Sequence, residues 1–397
     1  MSFRDAIKLG TAAVLLAGGV AAAQGPSRYD FTTVVDNERD GLTATRCAAM
    51  NTLGTVAVQV RDEAQGFSMM ITKQGADDLP RVVADTRSVA DFPGFCDNGI
   101  TSIPSDPSIN ELGEVAFQGN LRRLTTRLEC GTTEQRRRRQ GVYLGAGGPL
   151  TTIAHTINPP GGDFISEFLV ADQSVNSFGR VALVPELDNG DSGLFVGSRS
   201  GTFTTRFIDG DATGFDTPSS RVSMNELGQI AFEDSGIVIS NPDGTFTTIN
   251  PEGFSEGDPS LNLFGRVAFT GSSFVGDTQV LGIYTSRGDD LTTVADSTGP
   301  YSSFQEPSLN DLGQVAFTAD LDELLDGRNI QGVFTGSNPR RDKVLQAGDV
   351  YEGVTVSSVR TCNEALNNLG EIVMTVQSEN PDTFEVRTFV VKATPRR

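Results

Sequence analysis

Tryptophan is absent from this 397-residue chain, histidine occurs once, as His155, and tyrosine five times. A lone histidine rules out a multi-histidine metal centre and leaves a His-based triad or a histidine phosphoryl carrier no candidate but His155. The shortage of Trp and Tyr leaves few of the stacking platforms that sugar-handling clefts normally use. No Walker-type or dinucleotide glycine fingerprint occurs, so the 44 glycines read as turn residues. Beyond residue 23 no apolar run approaches the roughly 20 residues a helical membrane span needs. Helical periodicity is nearly missing too. Positive charge is also in deficit: 31 Lys and Arg stand against 51 Asp and Glu, a net charge of −20. Such a chain repels nucleic acid and anionic membranes, and the plain meaning of its acidity is solubility.

The first residues have the layout of an export signal. Arg4 and Lys8 precede an apolar stretch from Leu9 to Val20, and Ala21-Ala22-Ala23 fits a small-residue cleavage site. About 15 apolar residues are too few to span a hydrocarbon core comfortably. The expectation is a cleaved leader at 1–23 and one domain over 24–397, periplasmic or extracellular and monomeric. Losing the leader moves the net charge to about −21.

What is present in abundance is repetition. A strand-turn-strand pattern recurs seven times, centred on Asn51, Asn110, Asn176, Asn225, Asn262, Asn310 and Asn367. Each is followed three residues later by a glycine: Gly54, Gly113, Gly179, Gly228, Gly265, Gly313 and Gly370. Asn at the first and Gly at the fourth position match a type I turn with a G1 bulge, the glycine supplying positive φ. In the sixth copy, alternation places Val315 and Phe317 on one face and Gln314 and Ala316 on the other. The small alanine leaves that face thin enough for a neighbouring sheet. A second hairpin follows each first one, with leading strands such as Gly193–Gly197 and Gly332–Gly336 and closing strands such as Thr204–Phe207.

Four short strands per repeat describe the blades of an all-β, seven-bladed propeller of antiparallel four-stranded sheets. A β-solenoid is the competing architecture, but steps of 37 to 66 residues stack poorly. With the long stretches after each closing strand as blade crossings, Phe31–Val35 has no partner in its own repeat, while the last repeat lacks its fourth strand. The N-terminal strand is therefore expected to complete the seventh blade and close the ring. Four cysteines in an exported chain imply two disulfides. Cys47 lies four residues before Asn51 and Cys362 five before Asn367, sites that become neighbours in a closed ring. The expected pairs are Cys47–Cys362 and, flanking the second motif, Cys96–Cys130.

These residues resemble the bacterial exported family of tandem NxxGxxAF repeats, the choice-of-anchor type. The copies at Asn110, Asn225, Asn262 and Asn310 match the motif in full. Those at Asn51, Asn176 and Asn367 end in apolar swaps (Val58, Leu183, Val373-Met374). The resemblance implies export and repeat architecture, no reaction and no catalytic residue; the C-terminal anchor of such proteins is not recognisable here.

Chemistry is thinly supplied. His155 follows the Thr151–Ala154 strand and is expected on a surface loop rather than as a general base. Asp209, Asp211, Thr213 and Asp216 alternate oxygen ligands around Gly210 in the manner of a calcium loop. They lack full EF-hand spacing and a terminal bidentate Glu, so a solvated turn is the preferred reading and calcium the only cofactor considered. The insertion in the second repeat carries Arg122, Arg123, Arg127, Arg136, Arg137, Arg138 and Arg139, a basic loop suited to an acidic protein or anionic polysaccharide. The sequence thus indicates an exported binding or scaffold protein without identifiable catalytic machinery. A carboxylate-dependent glycan hydrolase or lyase and a calcium-stabilised envelope protein are the alternatives.

Overall fold

The computed structural model describes residues 28–87, 100–121, 140–156, 165–169, 172–218, 221–249, 255–288, 290–325 and 327–396. The expected leader at 1–23, the seven arginines of the basic insertion, Cys96 and Cys130 lie outside them. The regular structure of the described residues is β-strand apart from one single-turn helix, Asn37–Asp40. No described helix is long and apolar enough to cross a membrane.

Seven antiparallel sheets form a ring, a seven-bladed β-propeller. The first blade runs Leu42–Met50, Val56–Asp62, Phe67–Lys73, Arg81–Asp85, each strand pairing with the next. Later blades repeat this order, the second and sixth with their first strand broken in two. In the seventh, Ser358–Arg360, Ile372–Glu379 and Val386–Pro395 are completed by Tyr29–Asp36, which pairs antiparallel with the last of these, Tyr29 opposite Pro395. The N-terminal strand latches the ring as expected, which removes an open sheet edge.

All seven NxxG segments are the same hairpin turn. In each, the glycine N–H donates to the asparagine carbonyl, and the asparagine N–H donates to the carbonyl one residue past the glycine. Glycine φ runs from 68° at Gly179 to 80° at Gly313, a conformation that a side chain would strain. The asparagine Oδ1 accepts from backbone N–H groups inside its own turn, as Asn310 does from Leu312 and Gln314.

The core lies between blades, in seven apolar layers. Phe317 packs with Ala268 and Ile283 of the preceding blade, whereas Ala316 packs with Leu366 and Ile372 of the following one. The motif's last two residues therefore serve opposite layers, and both are fully buried. Burying a phenylalanine contributes about 1.5–3 kcal/mol, repeated at Phe117, Phe232 and Phe269. His155 departs from expectation. It ends the strand Thr151–His155 and is buried, because that strand lies against the next blade rather than opening into a solvated loop.

Candidate functional site

The motif asparagines do more than shape turns. Asn51 Nδ2 donates to the Asn110 carbonyl (3.1 Å) and Asn110 Nδ2 to Asn176 (3.1 Å). Asn225, Asn262, Asn310 and Asn367 continue the pattern, the last closing on Asn51 at 3.2 Å. At one junction, from Asn176, the buried Nδ2 has no partner. One layer deeper, the hydroxyl of Ser308 accepts the N–H of Leu366 in the next blade. Ser108, Ser174, Ser223 and Ser260 do likewise. These girdles line the axis and hold the first strands together.

Four residues before each asparagine a third layer crosses the axis. It consists of Cys47, Asp106, Asp172, Arg221, Asp258 and Glu306, with Cys362 five residues before Asn367. The Cys47–Cys362 disulfide is formed, Cα to Cα 6.1 Å, and joins the first and last blades. Arg221 Nη2 meets Asp106 at 2.8 Å and Asp172 at 3.0 Å, and its Nε lies 3.3 Å from Glu306. Asp106 also accepts the Cys47 N–H. Burial pushes the Glu306 carboxyl up to about 7 and raises Asp258, with Arg221 opposing both. Donor atoms of Cys47, Asp106, Glu306 and Cys362 lie within 4.8 Å of one another, but the sulfurs are spent on each other. This layer reads as an ionic and covalent plug.

Above the plug, a cavity of about 140 Å³ opens at the turn end of the axis. The residue before each asparagine, from Met50 in the first blade to Leu366 in the seventh, contributes to an apolar collar of seven side chains. Its floor includes Glu364. The seventh repeat carries one extra residue between cysteine and asparagine, and Glu364 sits there with φ 62°. The bulge aims its carboxylate across the axis. There it accepts from Ser108 Oγ (2.9 Å), Ser174 Oγ (3.2 Å) and the Ile109 N–H (3.2 Å). Burial pushes it up to about 7. Around the mouth, the Leu or Phe two residues after each asparagine is exposed, from 56% at Leu369 to 72% at Phe178.

A larger cavity, about 460 Å³, lies beside the axis where the third blade meets the fourth. Arg180 follows the third motif's glycine. Arg199 sits in the turn after Gly193–Ser198, which has the same hairpin form, with Gly201 at φ 78°. Arg206 comes from the strand Phe203–Ile208 and anchors to the fourth blade through the carbonyls of Asn241 (3.0 Å) and Gly228 (3.2 Å). Phe178, Ser198, Ser200, Thr202 and Thr204 complete the walls. Arg199 pairs with Glu114. Among the described residues no carboxylate pairs with Arg180 or Arg206, and the Arg206 Nε is buried without an acceptor. Burial, then the nearby Arg180, lowers the Arg206 pKa. Two unneutralised guanidinium groups side by side are unusual on a chain of net charge −20.

Asp211 spends both oxygens on its own loop, on the Thr213 and Ile208 N–H groups, and the Asp216 N–H turns to Asp234. Asp209, Asp211 and Asp216 form no convergent ligand group.

A model of a family described as "Family of unknown function (DUF7453)" matches residues 50–300 and 295–385. No curated protein matches the sequence. Among solved structures, an oligogalacturonate lyase from Vibrio parahaemolyticus is 13% identical with TM-score 0.45, covering 94% of this chain and 98% of its own. A PL25 ulvan lyase is 10% identical with TM-score 0.44, covering 93% and 96%. A putative TolB from Agrobacterium tumefaciens is 14% identical with TM-score 0.35, covering 73% and 82%. Likeness this remote carries no argument about activity.

Proposed function

We propose that this chain, which belongs to DUF7453, a family of unknown function, is an exported binding protein that holds an anionic glycan in the arginine cavity between its third and fourth blades. The observation that carries this reading is the pair Arg180 and Arg206, lining one concave site with no carboxylate among the described residues to neutralise them. A cavity of about 460 Å³ falls within the roughly 300–1,000 Å³ usual for ligand sites. Hydroxyls of Ser198, Thr202 and Thr204 suit sugar hydroxyls, and Phe178 offers an apolar ring at the rim. Uronate or sulfate-ester groups match the planar donors of arginine. In the sequence, the insertion at Arg122–Arg139 carries charge of the same sign, and the resemblance to the NxxGxxAF repeat proteins fits an exported location.

The test is calorimetric titration with uronate and sulfated oligosaccharides. A charge-assisted contact contributes about 1.5–3 kcal/mol, so Arg180→Ser should weaken binding by about tenfold to a hundredfold. Arg199→Ser should cost less, because Glu114 already occupies it. Equal binding by wild type and Arg180→Ser would overturn the proposal.

A carboxylate-dependent glycan hydrolase or lyase is the second reading. It is favoured by Glu306 and Glu364, both held near 7 at the axis. Product release from a glycan, lost in Glu364→Gln, would replace binding with catalysis.

A further inference from the structure

We propose that the axial mouth is a receptor for a lysine side chain presented by a partner protein, the methylenes passing the apolar collar and the ammonium reaching the carboxylate of Glu364. This is independent of the arginine cavity, which lies to one side and takes the opposite charge. Three observations converge on it. The cavity is small, about 140 Å³, and every blade contributes one apolar side chain to its collar, from Met50 to Leu366, among the polar groups that complete the lining. That collar suits a slender hydrocarbon chain.

The axis is also electronegative. Glu364 forms the floor, Asp106, Asp172, Asp258 and Glu306 outnumber Arg221 beneath it, and Glu111, Glu226 and Asp311 stand at the rim. The rim acids are held in place by backbone N–H groups of the preceding blade, from Thr52, Ser177 and Leu263. A narrow channel lined by one sign of charge focuses the opposite charge into it. Glu364 itself is satisfied by two hydroxyls and one N–H. The serine hydroxyls can turn, which leaves the carboxylate able to accept an ammonium.

Finally, the mouth is ringed by exposed Leu and Phe, one per blade. Apolar surface around a charged socket is the pattern of a protein interface with a central anchor rather than of a site for a free amine. The occupant is therefore a lysine on an apolar surface.

Methyl NMR on methionine-labelled protein tests this, because Met50 and Met224 both line the cavity. Nα-acetyl-lysine methylamide should shift both methyl signals saturably. The uncharged norleucine analogue, of similar length, should bind at least tenfold more weakly, as should lysine methylamide to Glu364→Gln. Uronate binding at the arginine cavity should be unchanged in that variant. Equal response to the norleucine analogue, or no shift at Met50 and Met224, would overturn the proposal, and the ligand comparison holds even if the variant fails to fold. Tighter binding of 1,5-diaminopentane than of a lysine peptide flanked by leucines would overturn the protein partner.

Discussion

Asn367 Nδ2 donates to the backbone carbonyl of Asn51 across 316 residues of chain, at 3.2 Å. This bond does for the last and first blades what the same side chain does at five other junctions. The asparagine is required twice over: its oxygen builds the turn and its nitrogen joins the next blade. Serine could serve the first task at a turn, but only the amide supplies both.

The two tasks separate on substitution. Asn310→Asp keeps the turn acceptor and loses the donors to Asn367 and Gln314, so unfolding free energy should fall by about 1–3 kcal/mol. Asn176→Asp should cost clearly less, because its Nδ2 has no partner. Denaturant titration of both variants checks this, and equal losses would mean that the inter-blade donor contributes nothing.

Reduction of Cys47–Cys362 opens a loop of 315 residues. The chain-entropy limit for such a loop is about 6 kcal/mol. A Cys47→Ala/Cys362→Ala protein should melt at lower temperature yet stay a closed ring, since Asn367, Glu364 and the N-terminal strand still bridge the same junction. Small-angle scattering should show unchanged dimensions; an expanded particle would assign closure to the disulfide alone.

Deleting Tyr29–Asp36 should expose the edge of Val386–Pro395 and strip Arg387 of its bond to Asp36 (2.7 Å). Unpaired edges recruit other chains. Light scattering should report association of the shortened protein. A monomer with the wild-type melting temperature would contradict the latch.

The pH response has two opposing parts. Burial holds Glu306 and Glu364 up to about 7, above the roughly 4.3 of an unfolded chain. The folded state therefore binds more protons in that window, and stability falls as pH rises through it, by at most about 1.4 kcal/mol per unit per group. Glu364→Gln should flatten the fall. His155 acts the other way: burial pulls it down to about 4, so its contribution is complete above about 6.5 and is lost as pH drops toward 4. With one histidine in the chain, imidazole NMR reads this directly, and titration near 6.5 would contradict burial.

The turns, the Ala–Phe alternation, the Cys47–Cys362 pair and the latch were all legible in the sequence, because turn chemistry and two-residue periodicity are local. The axial plug was not. Its position changes identity from blade to blade, so Asp106, Asp172, Arg221, Asp258 and Glu306 share no consensus, although they stand at the same offset as Cys47. Glu364 had a fainter signal, the one extra residue between Cys362 and Asn367. Arg180, Arg199 and Arg206 come from different strands and turns of one blade, and only the folded hairpins bring them together. His155 was misplaced because a strand end facing a neighbouring blade looks, in sequence, like the start of a loop.

The most direct measurement is a crystal structure of the protein grown with a short uronate or sulfated oligosaccharide. An anionic group is expected about 3 Å from the guanidinium groups of Arg180 and Arg206, with the sugar ring beside Phe178. An empty cavity with the ligand bound elsewhere would contradict it.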